Sequence, residues 1–291
     1  MSAHDIAVHG SAATGDLIEL DESTPVVARL WNLWANGKDA GPAEQEFGER
    51  VQQLYPQILD VARFRWVFRA RAVRVMVEEY RLRQLLVVGV DVPLRDEVHE
   101  IAQRIDPATR VVYADTDPWV MMHARALLTS RAPGGCAHVD ADLYEPGALL
   151  DQAAATLSLA EPVGVLLTTS LDGVDDQTAA HALAVLRTAL PGGSCIGIGH
   201  LTGDTGQGLG ALGGLWDRPV PGLPHARTLD GIRALFTDLE MAEPGLVAAP
   251  HWRPEPSPWA PLDGVDLWCG VGRVRARTGA RVSHRAAGRS R

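Results

Sequence analysis

The sequence predicts an α/β fold in which helices cover both faces of a doubly wound, largely parallel sheet, with a cap of helices before the sheet. Short apolar runs without polar interruptions, such as residues 85–89, are typical of strands that are buried on both faces. Five such runs alternate with segments of helical periodicity, which is the pattern of parallel strands joined by helices. Three helical segments come first, beginning at Thr24-Pro25, near Pro42 and near Ile58.

The predicted elements follow one another in the order of that fold. The predicted strands comprise residues 85–89, 110–114, 136–139, 163–168 and 194–198, followed by residues 239–241 and 266–274. The predicted helices beyond the cap comprise residues 97–105, 118–129, 147–157, 179–190 and 229–235. We therefore expect one seven-stranded sheet.

The expected division of the chain is a single domain over residues 23–274, comprising a helical cap at residues 23–80 and a Rossmann-like core at residues 81–274. Residues 1–22 contain five acidic residues and little periodicity, so we expect a flexible acidic leader. From Arg273 to Arg291 there are seven arginines and no acidic residue, and we expect residues 275–291 to be a disordered tail. The alternative for this tail is an arm that binds anions.

The composition limits the class of protein. Apolar residues make up 46% and charged residues 22%, as in an ordinary globular protein, which excludes a disordered chain, a collagen-like repeat and a membrane bundle. The formal charge of −9 argues against a nucleic-acid partner. The amino terminus lacks the pattern of a signal peptide, so we expect a cytoplasmic protein without a membrane partner. The three cysteines form no C-x-x-C pair, which predicts free thiols and no metal site.

Acidic residues follow two neighbouring strands, at the edge where ligands of open parallel sheets bind. Asp115, followed by Thr116, ends the second strand, where a carboxylate usually accepts hydrogen bonds from a ribose diol. Asp142 comes after the third strand and is a candidate acceptor for an adenine amino group, with Leu143 packed on the ring. The alternative is that acids here cap the helices that follow, and we favour this interpretation for Asp117.

The loop after the first strand differs from a dinucleotide site. Such a site needs the glycines of G-x-G-x-x-G so that the backbone can approach a pyrophosphate. Here Gly89 is present, but Asp91 occupies the position of the second glycine. Because a carboxylate repels a pyrophosphate, we do not expect NAD or FAD.

Several segments match one known family in the same order along the chain. The most specific are residues 27–29, 37–39, 71–74, 98–100, 112–118, 123–128, 140–143, 243–247 and 252–254, together with His200. From about Thr24 to Val274 the sequence resembles the actinobacterial S-adenosyl methyltransferase family, long known as a domain of unknown function. The resemblance implies a class I methyltransferase fold, whose seven-stranded sheet has an antiparallel last strand. It also implies S-adenosylmethionine as cofactor and a transferase acting on a small molecule, in secondary metabolism.

The sequence departs from the family pattern in four places. Residues 31–41 replace the family pattern Y-D-Y-x-L-G-G-K-D-N-F, and Arg65-Trp66 replaces an Asn-Arg pair. Residues 87–94 replace D-I-G-T-G-L-P-T, and residues 171–176 replace L-H-F-V-P-D. The departures fall where the resemblance places the methionine half of the cofactor and the substrate. Asp115 and Asp142, expected at the adenosine half, are intact.

Asp91 is the departure with the largest physical consequence. Its charge would repel the carboxylate of the cofactor unless Arg29, Lys38 or Arg95 neutralises it. Alternatively, Asp91 holds the ammonium group of the cofactor, a role that the acid missing at Val87 would otherwise share.

The expected site has three parts. Methyl transfer from a sulfonium needs alignment and a base, and by position the candidates for the base are His200 and Asp172; a structural role is the alternative for His200. The expected cofactor-binding residues are Gly89, Asp91, Pro93, Asp115, Thr116, Asp142, Leu143 and Thr169. The expected substrate pocket consists of Trp31, Trp34, Lys38 and Trp216. Core packing is the alternative for the first two tryptophans.

Two other functions stay open on the sequence alone. The altered glycine loop is the feature that favours a methyltransferase fold adapted to another reaction, such as a cyclisation or an elimination. A non-catalytic partner subunit is the other alternative, and it would need an exposed apolar surface. We expect a small-molecule substrate, no nucleic acid and no membrane, and a homodimer is left open.

Overall fold

The computed structural model describes residues 24–93, 96–204, 212, 223–258 and 261–276. The expected leader at residues 1–22, Trp216 and most of the expected tail lie outside these residues. The strands are β1 (Gln84–Val88), β2 (Arg110–Asp115), β3 (Cys136–Asp140), β4 (Gly164–Leu167), β5 (Cys195–Leu201), β6 (Leu239–Met241), β7 (Val247–Ala248) and β8 (Leu267–Val274).

All eight strands pair in one sheet, in the order β3-β2-β1-β4-β5-β8-β6, with β7 paired to β8. The pairs among β1 to β5 are parallel, and β8 runs antiparallel to β5, β6 and β7. The predicted doubly wound sheet with an antiparallel last strand is thereby confirmed. The two-residue β7 is the strand that the sequence did not predict.

The helices are α1 (Val27–Trp34), α2 (Pro42–Leu54), α3 (Ile58–Arg74), α4 (Val98–Ile105), α5 (Pro118–Leu127), α6 (Pro146–Ala153), α7 (Asp176–Ala189) and α8 (Leu229–Leu235). A π-helical turn continues α3 over Val75–Glu79, and a 3-10 turn follows β4 at Ser170–Gly173. The start predicted for α1 at Thr24-Pro25 was too early, because the backbone of Val26 is still extended and Val26 is the N-cap.

The sheet separates two hydrophobic cores because side chains of each strand alternate between its faces. In β1, Leu85 and Val87 pack toward the cap, whereas Leu86 and Val88 pack on the opposite face. All four are essentially inaccessible to solvent. The continuous apolar run that predicted this strand is explained by burial on both faces.

Strand β1 lies between β2 and β4, so the chain leaves it toward one side of the sheet and later returns on the other. This is a topological switch point, where the loops that follow neighbouring strands separate and leave room for a ligand. The loop after β1 and the 3-10 turn after β4 flank that space.

Candidate functional site

A cavity of about 650 Å³, which we call the large cavity, opens at the carboxyl ends of β1, β2, β3 and β4. Its volume is within the range of roughly 300–1,000 Å³ that is typical of small-molecule sites. Residues 24–29 cover it from the cap side, and Ser170, Gly173 and Val174 line it after β4. The sequence did not predict this cover, because the segments that form it are far apart along the chain.

Gly89 lies in the wall of the large cavity with a backbone φ of +81°. A Cβ atom at this position would lie 2.5 Å from Thr169 Oγ1, closer than real Cβ contacts come. The hydroxyl of Thr169 donates to the carbonyl oxygen of Gly89 at 3.2 Å. Both the conformation and the close approach therefore require glycine here.

Asp115 joins two loops at the edge of the large cavity. Its Oδ2 accepts from the backbone N–H of Val90 and its Oδ1 from that of Asp117, both at 2.9 Å. Burial raises the pKa of Asp115, and these two hydrogen bonds oppose the rise. Asp117 has the predicted capping role, since its side chain accepts from the first backbone amides of α5.

Asp142 and Leu143 form the neighbouring part of the wall, together with Thr116. Asp142 Oδ1 accepts from the backbone N–H of Tyr144 at 2.9 Å, and its Oδ2 accepts from the Thr116 hydroxyl at 3.2 Å. The side chain of Leu143 is 1% exposed and belongs to the core as well as to the wall. Helix α6 has Glu145 as N-cap, so Asp142 does not cap it.

A second, much smaller cavity of about 30 Å³ lies deeper, between α1, α3 and the loop after β1. We call it the small cavity. It shares Trp31, Asp91 and Thr169 with the large cavity. Its other polar walls are the side chains of Asn32, Arg65, Arg69 and Thr168.

Asp91 stands at the junction of the two cavities with a φ of +58°, a conformation that aspartate adopts more readily than most residues. Burial raises the pKa of Asp91 to about 6. The guanidinium groups of Arg65 and Arg69 oppose this rise, whereas the carboxylate of Asp115 adds to it. Among the described cations, Arg65 and Arg69 thus favour the charged form of Asp91.

The three cations expected to neutralise Asp91 are placed differently. Arg29 lies over the ring of Trp119 at 4.1 Å and faces Glu44 at 3.8 Å. Lys38 is exposed, and Arg95 lies outside the described residues. Arg29 shares the wall of the large cavity with Asp91, whereas Lys38 lies outside both described walls. The cations in the wall of the small cavity, Arg65 and Arg69, come from α3.

Arg65 is buried in α3, with its guanidinium carbon 4.0 Å from the centre of the Trp31 ring. Its Nη2 contacts Asp172 Oδ2, and burial lowers the pKa of Arg65 to about 10. Arg69, one turn further along, lies over the ring of Trp66 at 4.4 Å and forms an ion pair of 3.1 Å with Glu97. Arg65-Trp66 is one of the departures from the family pattern, which was the signal for this part of the site.

His200 and Asp172 lie below the cavities and line neither of them in the described structure. His200 is 0% exposed and Asp172 is 1% exposed. The Nδ1 atom of His200 is 3.0 Å from Asp172 Oδ1 and 2.8 Å from the carbonyl oxygen of Leu201, and its Nε2 contacts Arg227 Nη1. Burial lowers the pKa of His200 to about 3, so the imidazole is neutral at pH 7. Their position gives no support to either residue as a base that reaches a ligand.

The remaining expected pocket residues divide between core and surface. Trp34 is buried, and its Nε1–H donates to the carbonyl oxygen of Gly48 at 3.2 Å. Its ring meets that of Trp31 edge to face, with centres 5.0 Å apart. Neither Trp34, Lys38 nor Pro93 is part of the wall of either cavity as described. Trp31 is the tryptophan that both cavities share.

Ser170 is a polar wall residue that the sequence did not predict. Its hydroxyl is buried beside the large cavity and has no hydrogen-bond partner within the described part of the chain.

Among the described residues, no helix combines the length and the apolar character that a membrane span requires.

Known proteins match this chain over most of its length. A family model described as S-adenosyl methyltransferase matches residues 14–275. A DUF574 family protein from Streptomyces avermitilis MA-4680 is 30% identical with a TM-score of 0.80, over 87% of this chain and 98% of that protein. A candidate methyltransferase from Thermobifida fusca YX is 30% identical with a TM-score of 0.79, over 88% and 97%. No curated protein matches. The predicted resemblance is confirmed: the chain belongs to the S-adenosyl methyltransferase family, whose cofactor is S-adenosylmethionine.

Proposed function

We propose that this protein transfers the methyl group of S-adenosylmethionine to a small molecule in secondary metabolism. The observation that best supports the transfer is the large cavity, which brings Gly89, Asp115 and Asp142 together at the switch point of the sheet. The metabolic role rests on the actinobacterial resemblance, and the Streptomyces origin of one similar structure supports it.

The residues of the large cavity fit the nucleoside half of the cofactor. Each carboxylate oxygen of Asp115 accepts one backbone amide, and a carboxylate oxygen can accept a second donor, such as a ribose hydroxyl. Asp142 at the next strand end is suited to an adenine amino group, and Leu143 offers the ring an apolar surface. The missing Cβ at Gly89 lets the loop after β1 pack closely against Thr169 and Ser170 in the neighbouring wall.

When bound, S-adenosylmethionine supplies a methyl group on a positively charged sulfur. An oxygen or nitrogen of the acceptor bonds to the methyl carbon and displaces the sulfur as the leaving group. The protein contributes to such a reaction mainly by alignment, which can lower a barrier by several kcal/mol, about 7–11 in the best cases. We assign this aligning role to the walls formed by residues 24–29 and by Ser170–Gly173, which enclose the strand ends. Enclosure also excludes water from the reacting groups.

His200 and Asp172 support this arrangement as positioning residues in our proposal. Asp172 belongs to the Ser170–Gly173 turn, and its Oδ1 accepts from the backbone N–H of Leu201 at 3.1 Å. Arg227 holds the same turn, since its Nη1 donates to the carbonyl oxygen of Leu171 at 2.7 Å. The buried charges therefore fix the cavity wall after β4 relative to β5.

The first experiment is calorimetric titration of the folded protein with S-adenosylmethionine and with S-adenosylhomocysteine. We expect micromolar binding of both, followed by transfer of a labelled methyl group when mixtures of small metabolites are supplied. If neither ligand binds to protein whose fold has been verified, the proposal is wrong. A fold adapted to another reaction, or a non-catalytic partner, would then be the better hypothesis.

A pair of glycine variants connects the titration to the large cavity. Gly89→Ala places a methyl group against Thr169 in a strained conformation, so we expect binding of both ligands to be lost or strongly weakened. Gly147→Ala is the matched control, because a Cβ there meets no atom within 4 Å in the described structure. Equal binding by the two variants would place the ligand elsewhere.

A further inference from the structure

Two side chains in the wall of the small cavity have hydrogen-bond donors that the described part of the chain does not use. Within the described residues, no partner is present for Nε and Nη1 of Arg65 or for Nδ2 of Asn32. The exposed fraction is 5% for Arg65 and 2% for Asn32, so neither donor set reaches bulk water. Because buried donors without a partner are costly, such a group indicates a place for a ligand or a bound water.

The orientation of both side chains is fixed by other contacts. Arg65 packs on the ring of Trp31 and contacts Asp172 through Nη2, which leaves its Nε and Nη1 donors available. Asn32 accepts the backbone N–H of Asp39 through Oδ1 at 3.1 Å, and this hydrogen bond assigns the amide so that Nδ2 is a free donor. The two residues therefore form a rigid set of donors and one positive charge.

The small cavity has the size of one small anionic group. Its volume of about 30 Å³ holds roughly two water molecules, or the two oxygens of one carboxylate. A guanidinium edge is the group that best matches a carboxylate in geometry. The cavity meets the large cavity at Trp31, Asp91 and Thr169, so a ligand in the large cavity can extend a short chain into it.

Asp91 narrows the choice of ligand. A simple anion in the small cavity would lie beside this carboxylate and be repelled, whereas a group with a cation next to the anion would be attracted at both ends. An α-amino acid group has this arrangement of charges. Asp91 and Arg65 are both departures from the family pattern, and their charges are opposite.

We propose that the small cavity binds the carboxylate at the amino-acid end of S-adenosylmethionine, with Arg65 and Asn32 as the donors. Asp91, at the junction, accepts hydrogen bonds from the adjoining ammonium group. This inference rests on the proposed function and adds to it the residues that recognise the part of the cofactor where the sequence departs from its family.

Three ligands test the proposal with the unmodified protein. S-adenosylmethionine has both charged groups, its decarboxylated form keeps only the ammonium group, and 5′-methylthioadenosine has neither. By calorimetry we expect S-adenosylmethionine to bind about ten- to a hundredfold more tightly than the decarboxylated form, as for a lost charge-assisted hydrogen bond. Equal affinities would overturn the proposal. If affinities are equal but 5′-methylthioadenosine still binds, the proposal for the small cavity fails and the proposed function stands. If none of the three ligands binds, the proposal and the proposed function both fail.

Two variants assign the discrimination to residues. Arg65→Met should bind S-adenosylmethionine and its decarboxylated form with nearly equal affinity. Since Arg65→Met leaves Asp172 without its cation and can destabilise the fold, Asn32→Asp provides a second route. It keeps the acceptor for Asp39 but replaces the donor by a negative charge, so it should weaken binding of S-adenosylmethionine alone. Arg63→Met is the control, because Arg63 is exposed on the same helix. Unchanged discrimination in both Arg65→Met and Asn32→Asp would overturn the proposal.

Discussion

The two ends of the site satisfy their polar groups in different ways. The proposed nucleoside end consists of Asp115, Asp142 and Leu143, and its carboxylates accept backbone amides of their own or adjacent loops. The proposed amino-acid end consists of Asn32, Arg65 and Asp91. Its side chains come from α1, α3 and the loop after β1, and several of its donors have no partner in the described chain.

The difference shows which end has its hydrogen bonds formed within the protein before a ligand binds. Backbone amides hold the acids of the nucleoside end in place whether or not a ligand is bound. At the proposed amino-acid end, the buried side chains of Arg65 and Asn32 have donors without a partner in the described chain, which is costly in the absence of a ligand. We therefore expect variants at the two ends to differ in which ligands they affect and in how they change stability.

The largest effect is expected for Asp172→Ala, which removes the carboxylate that contacts Arg65. A buried charge that loses its partner typically costs about 3–5 kcal/mol, so urea denaturation should show a large fall in the free energy of unfolding. Asp176→Ala is the control, because Asp176 is largely exposed in its pair with Arg227 and should cost at most about 1 kcal/mol. Equal losses in the two variants would contradict a buried charge cluster below the cavities.

Asp115→Ala should weaken S-adenosylhomocysteine and 5′-methylthioadenosine by the same factor, because both ligands contain the ribose. We expect a loss of about 1–3 kcal/mol for each, measured by calorimetry. Asp140→Ala is a matched control, since Asp140 pairs with Asp115 in the sheet register but is exposed. A loss confined to S-adenosylhomocysteine would show that the two ends are not separate.

Asp91→Asn should change stability and binding in opposite directions. Because the pKa of Asp91 is raised to about 6, the folded state binds more protons than the unfolded state between about pH 4 and 6, and stability falls as the pH rises through this window. Asparagine tolerates the positive φ and does not titrate, so the variant should unfold at higher temperature at pH 8, by an equivalent of about 1–2 kcal/mol. The gain should disappear below pH 4.

The same variant should bind S-adenosylmethionine more weakly and 5′-methylthioadenosine unchanged, as measured by calorimetry at pH 8. Asp96→Asn is the control, since Asp96 also has a positive φ but forms an exposed pair with Arg104. Tighter binding of S-adenosylmethionine by Asp91→Asn would instead mean that Asp91 repels the cofactor.

The smallest effect is expected for Lys38→Met. Lys38 is exposed and lies outside both described cavity walls, so the free energies of unfolding and of cofactor binding should change by less than about 0.5 kcal/mol. Denaturation and calorimetry check this. A tenfold loss of affinity would show that Lys38 belongs to the binding site, as first expected.

Elements that depend on local pattern were predictable from the sequence. A run of a few apolar residues was enough to predict β1, and the neighbouring residues were enough to place Asp115 at the end of β2. The structure confirms both elements. His200 shows the limit. Strand β5 was expected to end at Ile198 but continues to Leu201, since it pairs with β8 along its length, and His200 faces Trp268 in that register. A residue expected in a loop is therefore inside the sheet.

The amino-acid end was not predictable for a different reason. Asn32 and Arg65 belong to separate helices, and they line one cavity with Asp91 only because α1 and α3 pack beside the loop after β1. No spacing in the sequence specifies such a contact. The departures from the family pattern marked Arg65 and Asp91, but not that both would line the same cavity.

The hydrogen bonds of Asp115 have a kinetic consequence. Because one side chain joins the backbone at Val90 to the backbone at Asp117, the loops after β1 and β2 keep a fixed spacing before any nucleoside arrives. Less conformational entropy is then lost on association. Ligands that share the nucleoside should consequently associate at similar rates and differ mainly in how long they stay bound.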